Sequence, residues 1–172
     1  MTQHIFRIRK AFLIPLGLAV SLLLVLLLLS VLYKGVPTER LVLTAFFIPS
    51  ALIFFEALSR RVTAEEQEIR IKKFLREKSF QWHEITHIGT LSMRRKIYFL
   101  LTTTKGFHVL SNAYQDYPNL IRHLDLHLDR EKVDDEVRTQ IENPMVNISD
   151  IIAVWFAAVV LAGLIVMKVV PL

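Results

Sequence analysis

A chain of 172 residues that is 53% hydrophobic, with a mean hydropathy of +0.42, is too apolar for an ordinary water-soluble domain. Its apolar residues are concentrated in blocks, which is typical of proteins that cross membranes. The absence of cysteine excludes disulfides and thiolate metal sites. The net charge of +5 comes from basic residues that flank the apolar blocks or alternate with acids, so we expect attraction to an anionic leaflet and no nucleic-acid partner.

The first predicted elements are two membrane spans, at about residues 11–33 and 41–58, which make residues 1–58 a transmembrane hairpin. The basic residues before the first span would also suit a signal peptide. However, the apolar run exceeds the roughly 7–15 residues of a signal-peptide core, and no A-x-A cleavage site follows it. A third span is predicted within residues 148–172.

The orientation of these spans follows from their basic flanks, because cytoplasmic flanks are enriched in lysine and arginine. Three basic residues precede the first span and two follow the second: Arg7, Arg9, Lys10, Arg60 and Arg61. The N-terminus and residues 59–147 are therefore predicted to be cytoplasmic, and the C-terminus to lie on the periplasmic side.

The segment between the second and third spans first shows the period of strands and then the period of a helix. Apolar residues alternate with polar ones in several short runs over residues 59–110, and Tyr117 to Leu128 repeats at helical spacing after Asp116, a candidate cap. This pattern predicts an antiparallel β domain followed by one amphipathic helix. Residues 129–147 are predicted to form a charged connector helix, with Val133, Val137 and Ile141 on one stripe.

The domain resembles a known family over roughly Arg61 to Leu128. The stretches RVTAEEQEIRIKKFLREKSFQWHEITHIG and KIYFLLTTTKGFHVLSNAYQDYPNLIRHL are similar to bacterial pleckstrin-homology-like (PH-like) domains. The resemblance implies a small cytoplasmic antiparallel β-barrel or sandwich in residues 59–128, closed by one helix, within an α+β membrane protein. It also implies a bacterial inner-membrane location and a membrane-binding or protein-binding role.

A second interpretation comes from the letters HEITH, which match the H-E-x-x-H motif of zinc peptidases. In that alternative His83 and His87 bind the metal and Glu84 activates water. The motif needs a helix, but β-branched residues and Gly89 favour an extended segment, in which residues four apart are about 13 Å apart. No third ligand stands out, although Glu131 or His108 could be nominated. We therefore expect no enzymatic activity, no metal and no cofactor.

Two basic segments of the domain are candidate leaflet contacts. They are the predicted hairpin with Lys72, Lys73, Phe74, Arg76 and Lys78, and a second tip with Arg94, Arg95 and Lys96. Cations next to a membrane gain about 1 kcal/mol each at an anionic leaflet. The alternative is that these are ordinary solvated turns, in which Phe74 or Leu75 covers the core.

Small residues in the third span could allow close helix packing, within one chain or between subunits. They are Ala153, Ala157, Ala158, Ala162 and Gly163, and the Val133, Val137 and Ile141 stripe could extend such an interface. The sequence therefore favours a non-enzymatic scaffold or adaptor, which acts as a subunit or as an assembly or regulatory factor of an inner-membrane complex. Its expected partners are membrane lipids and either other membrane subunits or further copies of itself.

Overall fold

A computed structural model describes residues 4–33, 35–93, 96–144 and 148–170. The chain forms two compact units: one takes Met1–Arg9 and Ser59–Asn147, and the other takes Lys10–Leu58 and Ile148–Leu172. The elements in chain order are β1 (His4–Arg7), α1 (Lys10–Leu32), α2 (Pro37–Ser59), β2 (Arg61–Ala64), β3 (Glu68–Lys73), β4 (Arg76–Gln81), a 3₁₀ turn (Trp82–Glu84), β5 (Ile85–Met93), β6 (Lys96–Thr103), β7 (Gly106–Ser111), α3 (Tyr117–His127), a 3₁₀ turn (Arg130–Lys132), α4 (Asp135–Glu142) and α5 (Ser149–Val169).

The helical unit contains the three predicted spans. Helices α1, α2 and α5 are each long and apolar enough to cross a membrane. Helix α1 packs against α5, and Leu16, Ala19, Leu23 and Leu26 are among its buried residues. Helix α2 also approaches α1 closely, because a Cβ added at Gly17 would lie 3.0 Å from the Phe54 ring.

The other unit is built on two antiparallel sheets, with strand orders β1-β2-β3-β4 and β5-β6-β7. The sequence predicted that all of residues 1–58 form the transmembrane hairpin, and this prediction is wrong for the first strand. Strand β1 precedes α1 and pairs with β2, which follows α2. The helical hairpin is thus inserted in the chain between two paired strands.

The core of this unit follows the period of each element. Alternate residues of β3 and β6 point inward, and α3 contributes residues three or four apart. The fully buried side chains include Val62, Ile69, Ile85, Ile88, Ile97, Phe99, Leu101, Leu110, Tyr117, Leu120, Ile121 and Leu124. Each large aliphatic side chain buried in this way contributes roughly 1.5–3 kcal/mol of hydrophobic stabilisation.

The connector is not the single helix that the sequence predicted over residues 129–147. The 3₁₀ turn Arg130–Lys132 is followed by the extended residue Val133, and α4 begins only after Asp134. Val133 forms a parallel bridge with Ile88, and the Asp134 N–H donates to the Ile88 carbonyl at 3.1 Å. The β-branched Val133 thereby covers part of the β5 edge, and the connector belongs to the domain.

The α+β class, the three apolar helices and the antiparallel strands are confirmed. The predicted barrel is not confirmed. In the part of the chain that the structure describes, the strands form two separate sheets and do not close into a barrel.

Candidate membrane-contact and interaction surfaces

The HEITH stretch changes conformation in its middle. Trp82–Glu84 forms a 3₁₀ turn, and Ile85 already belongs to β5. Glu84 closes this turn, because its Oε2 accepts the Gln81 N–H at 3.0 Å while its Oε1 lies 2.5 Å from the Lys105 ammonium. The hydrogen bond from Lys105, with help from the Gln81 N–H, lowers the pKa of the Glu84 carboxyl group. The carboxylate therefore holds the turn in place.

The two histidines of the motif do not share a helix face. The turn ends at Glu84, and the pairing of β5 with β6 is irregular between Ile85 and His87. The imidazole Nε2 of His87 lies 3.4 Å from a carboxylate oxygen of Asp134. Across residues 4–33, 35–93, 96–144 and 148–170, no three histidines or carboxylates are grouped to hold a metal ion. The helical geometry that a zinc peptidase needs is not present at this stretch.

The β3–β4 hairpin turns through Phe74 and Leu75, which are 43% and 86% exposed. Leu75 is too exposed to cover the core, whereas Phe74 is partly covered. The cations of the predicted contact flank these apolar residues along β3 and β4: Lys72, Lys73, Arg76 and Lys78. We call the segment from Lys72 to Lys78 the hairpin tip; within it Lys72 lies 3.7 Å from Glu77. Exposed apolar residues next to cations are the combination that an anionic lipid surface attracts.

The second predicted basic tip is described only in part. Lys96 begins β6, and Arg94 and Arg95 lie outside the described residues.

The small residues of α5 separate into two groups. Ala158 is 2% exposed and lies on the packed side of the helix. Ala153, Ala157, Ala162 and Gly163 are exposed, and a Cβ added at Gly163 would meet nothing within 4 Å. Ala153 and Ala157 lie four residues apart on one exposed side of the helix, which we call the outer face of α5, whereas Ala162 and Gly163 are exposed on other sides. Of the five small residues, Ala158 is the buried one, and the outer face is not covered by any described part of the chain.

One feature of the helical unit was missed by the sequence analysis. Lys168 near the end of α5 donates a hydrogen bond to Glu39 in the first turn of α2. Gly35 leaves room beside this pair, because a Cβ there would lie 2.6 Å from the Ser30 hydroxyl and 2.7 Å from Glu39 Oε2. The sequence signal was present: both charges lie at the ends of spans that the orientation argument places on the same side.

A second missed feature is the basic outer face of the first sheet. It carries Arg7 on β1, Arg61 on β2, and Arg70 and Lys72 on β3, and we call these four residues the Arg7–Arg61 face. The sequence did not reveal this face, because β1 was not predicted as a strand and nothing placed Arg7 beside Arg61.

A third missed feature is the approach of His4 on β1 to the histidines of α3, which forms a histidine cluster. The His4 and His123 rings lie 4.2 Å apart, the His123 and His127 rings 6.5 Å apart, and His127 stacks on Trp82 at 4.4 Å. Burial lowers the pKa of His123, and the neighbouring His4 and His127 lower it further. The cluster joins the first strand to the closing helix.

Comparison of the chain with protein-family models, with curated proteins and with solved structures found no match. A functional proposal for this chain therefore depends on the surfaces described above.

Proposed function

We propose that this chain is a non-enzymatic scaffold or adaptor of the bacterial inner membrane. Three spans carry a cytoplasmic PH-like domain, and the chain acts as a subunit or as an assembly or regulatory factor of a membrane complex. The order of a four-stranded sheet, a three-stranded sheet and a closing helix supports the PH-like part of this proposal.

The observation that carries the proposal is the insertion of the apolar hairpin between the paired strands β1 and β2. Only Ile8 and Arg9 separate β1 from α1, and only Arg60 separates α2 from β2. Connections this short span a few ångströms per residue, so the domain stays at the membrane surface. A domain held in this way is suited to presenting fixed surfaces to lipids and to neighbouring membrane proteins.

Two surfaces would make these contacts with lipids and with neighbouring membrane proteins. The hairpin tip would rest on the anionic leaflet, with Leu75 inserted among the headgroups and its cations at the phosphates. The outer face of α5 would contact another membrane helix, because small side chains allow two helix backbones to approach closely.

The proposal is tested by the mass of the particle taken from native membranes. The tagged chain would be extracted directly into lipid nanodiscs and its protein mass measured over a range of concentrations. We expect a mass above the 19.9 kDa of one chain, from further copies or from a stoichiometric membrane partner. A single chain at every concentration, with no partner, would refute the scaffold proposal.

The proposed orientation has its own test. The chain contains no cysteine, so single cysteines at Pro37 and Ser111 can be labelled without background. An impermeant maleimide added to intact cells should label the first and not the second. The reverse pattern would place the domain outside the cytoplasm and exclude cytoplasmic partners.

A further inference from the structure

Two arginines face each other across the first pair of strands. Arg7 on β1 and Arg61 on β2 are direct partners in the antiparallel register, and both are exposed. Like charges directly opposite each other destabilise a sheet. Among the described residues, the side chains of Arg7 and Arg61 have no ion pair and no hydrogen bond that would compensate this repulsion.

The neighbouring cations of the Arg7–Arg61 face are already paired. Arg70 lies 2.5 Å from a Glu68 oxygen and 3.7 Å from Glu77, and Lys72 lies 3.7 Å from Glu77. Glu68, Glu77 and the nearby Glu65 thus compensate Arg70 and Lys72, and the uncompensated positive charge lies at the end with Arg7 and Arg61.

A shallow pocket of about 210 Å³ opens on the same face. Its lining combines three cations with one carboxylate, a hydroxyl and an apolar side chain: Ile5, Arg61, Thr63, Arg70, Lys72 and Glu77. Arg7 lies beside this pocket as the strand partner of Arg61. Ile5 is 49% exposed. Arginine and a hydroxyl suit phosphate oxygens, and the exposed Ile5 suits the glycerol and acyl carbons attached to a lipid phosphate. A free phosphate ion would make no use of Ile5.

We propose that the Arg7–Arg61 face binds the phosphate headgroup of an anionic phospholipid. The inference rests on the proposed membrane location, and the chain itself supports the source of the ligand. Arg7 lies three residues before Lys10, where α1 begins, and Arg61 lies two residues after Ser59, where α2 ends. Both guanidinium groups are therefore held within a few residues of spans whose ends lie at the depth of the lipid phosphates. The bound anion would remove the repulsion between the two arginines.

The test uses the purified full chain in phosphatidylcholine nanodiscs to which phosphatidylglycerol is added. Lipid retention would be measured by native mass spectrometry, and stability by the midpoint of thermal unfolding. Arg7→Gln and Arg61→Gln should each weaken phosphatidylglycerol retention about fivefold. The matched control is Arg122→Gln, which removes an exposed arginine from α3 and should leave retention unchanged.

A second readout separates binding from a structural role. Without anionic lipid, Arg7→Gln and Arg61→Gln should not lower the unfolding midpoint, since each removes a like-charge repulsion. With phosphatidylglycerol, the unchanged chain should gain stability and these variants should not. Variants that are equally destabilised in both lipids would overturn the proposal.

Three further results would decide whether the Arg7–Arg61 face binds a phospholipid. Equal retention by the variants and the Arg122→Gln control would refute the site. Inorganic phosphate that stabilises the unchanged chain as well as phosphatidylglycerol does would refute a lipid as the ligand. Retention that depends on Arg61 in a chain shown to be monomeric would support the lipid site while the scaffold proposal fails.

Discussion

At the scale of single residues, Glu84 is the glutamate of the zinc-peptidase motif, and its carboxylate is bound by the Gln81 N–H and the Lys105 ammonium. The β-branched neighbours in the sequence already argued against a helix. The partner Lys105 could not be foreseen, because its ammonium reaches Glu84 only when the turn between β6 and β7 lies beside the 3₁₀ turn.

Substitutions at Glu84 and His83 should distinguish a structural role of this stretch in the 3₁₀ turn from a zinc-peptidase site. Glu84→Ala should lower the unfolding midpoint because it removes the cap of the turn and the partner of Lys105. His83→Ala should leave the midpoint almost unchanged, since His83 is exposed. Urea unfolding followed by tryptophan fluorescence measures both. About one tightly bound zinc per chain that is lost in His83→Ala would instead support the peptidase alternative.

The histidines make the stability of the domain depend on pH. Burial is the main cause that lowers the pKa of His123 and of His108 below the ordinary value of 6.5. As the pH falls, these histidines therefore bind protons in the unfolded chain before they do so in the folded chain. Stability is unaffected above about pH 6.5 and falls as the pH drops below it. The unfolding midpoint should therefore decrease from pH 7 to pH 5.

The variant His123→Gln should flatten this dependence, because glutamine does not titrate beside His4 and His127. A midpoint that stays constant between pH 7 and pH 5 in the unchanged chain would contradict the prediction.

At the scale of elements, sequence periodicity predicted the helices and strands whose pattern repeats over many residues, and it did not predict the shortest strand. The three long helices and the alternating strands were predicted because each repeats a pattern several times. Strand β1 has only four residues, and its Arg7 was interpreted as part of the basic flank of a span. The packed side of α1 could not be predicted either, since that helix is apolar on every side.

The prediction of a single connector helix over residues 129–147 failed for a different reason. Its charges are compatible with a helix along its whole length, and only the tertiary contact of Val133 with Ile88 breaks it.

Val137 tests whether α4 belongs to the domain. Its side chain is completely buried, so Val137→Ala should reduce the free energy of unfolding by about 1–3 kcal/mol. Ile141→Ala is the control and should cost less, because Ile141 is half-buried. Both values come from urea unfolding. An unchanged midpoint in Val137→Ala would show that α4 is only a tether.

At the scale of the whole molecule, neighbouring alanines on α5 distinguish assembly from folding. Ala157→Leu enlarges the exposed side of the helix and should hold a partner helix away, lowering the mass of the particle in nanodiscs while the chain stays folded. Ala158→Leu overfills a buried position and should destabilise the chain itself by about 1–3 kcal/mol. Particle mass and thermal midpoint would be recorded for both variants. If Ala157→Leu leaves the particle intact, the outer face of α5 is not the interface.

The pairing of β1 with β2 has a consequence for biogenesis. During synthesis β1 leaves the ribosome before both helices of the hairpin, whereas its partner strand leaves only after them. The sheet is therefore completed only once α1 and α2 have been made and the chain has returned to the side on which β1 lies. A hairpin inserted with one end on the wrong side would leave β1 without β2, with Phe6 and Ile8 exposed to solvent. Formation of the β1–β2 pair thus requires that the helical hairpin begin and end on the same side.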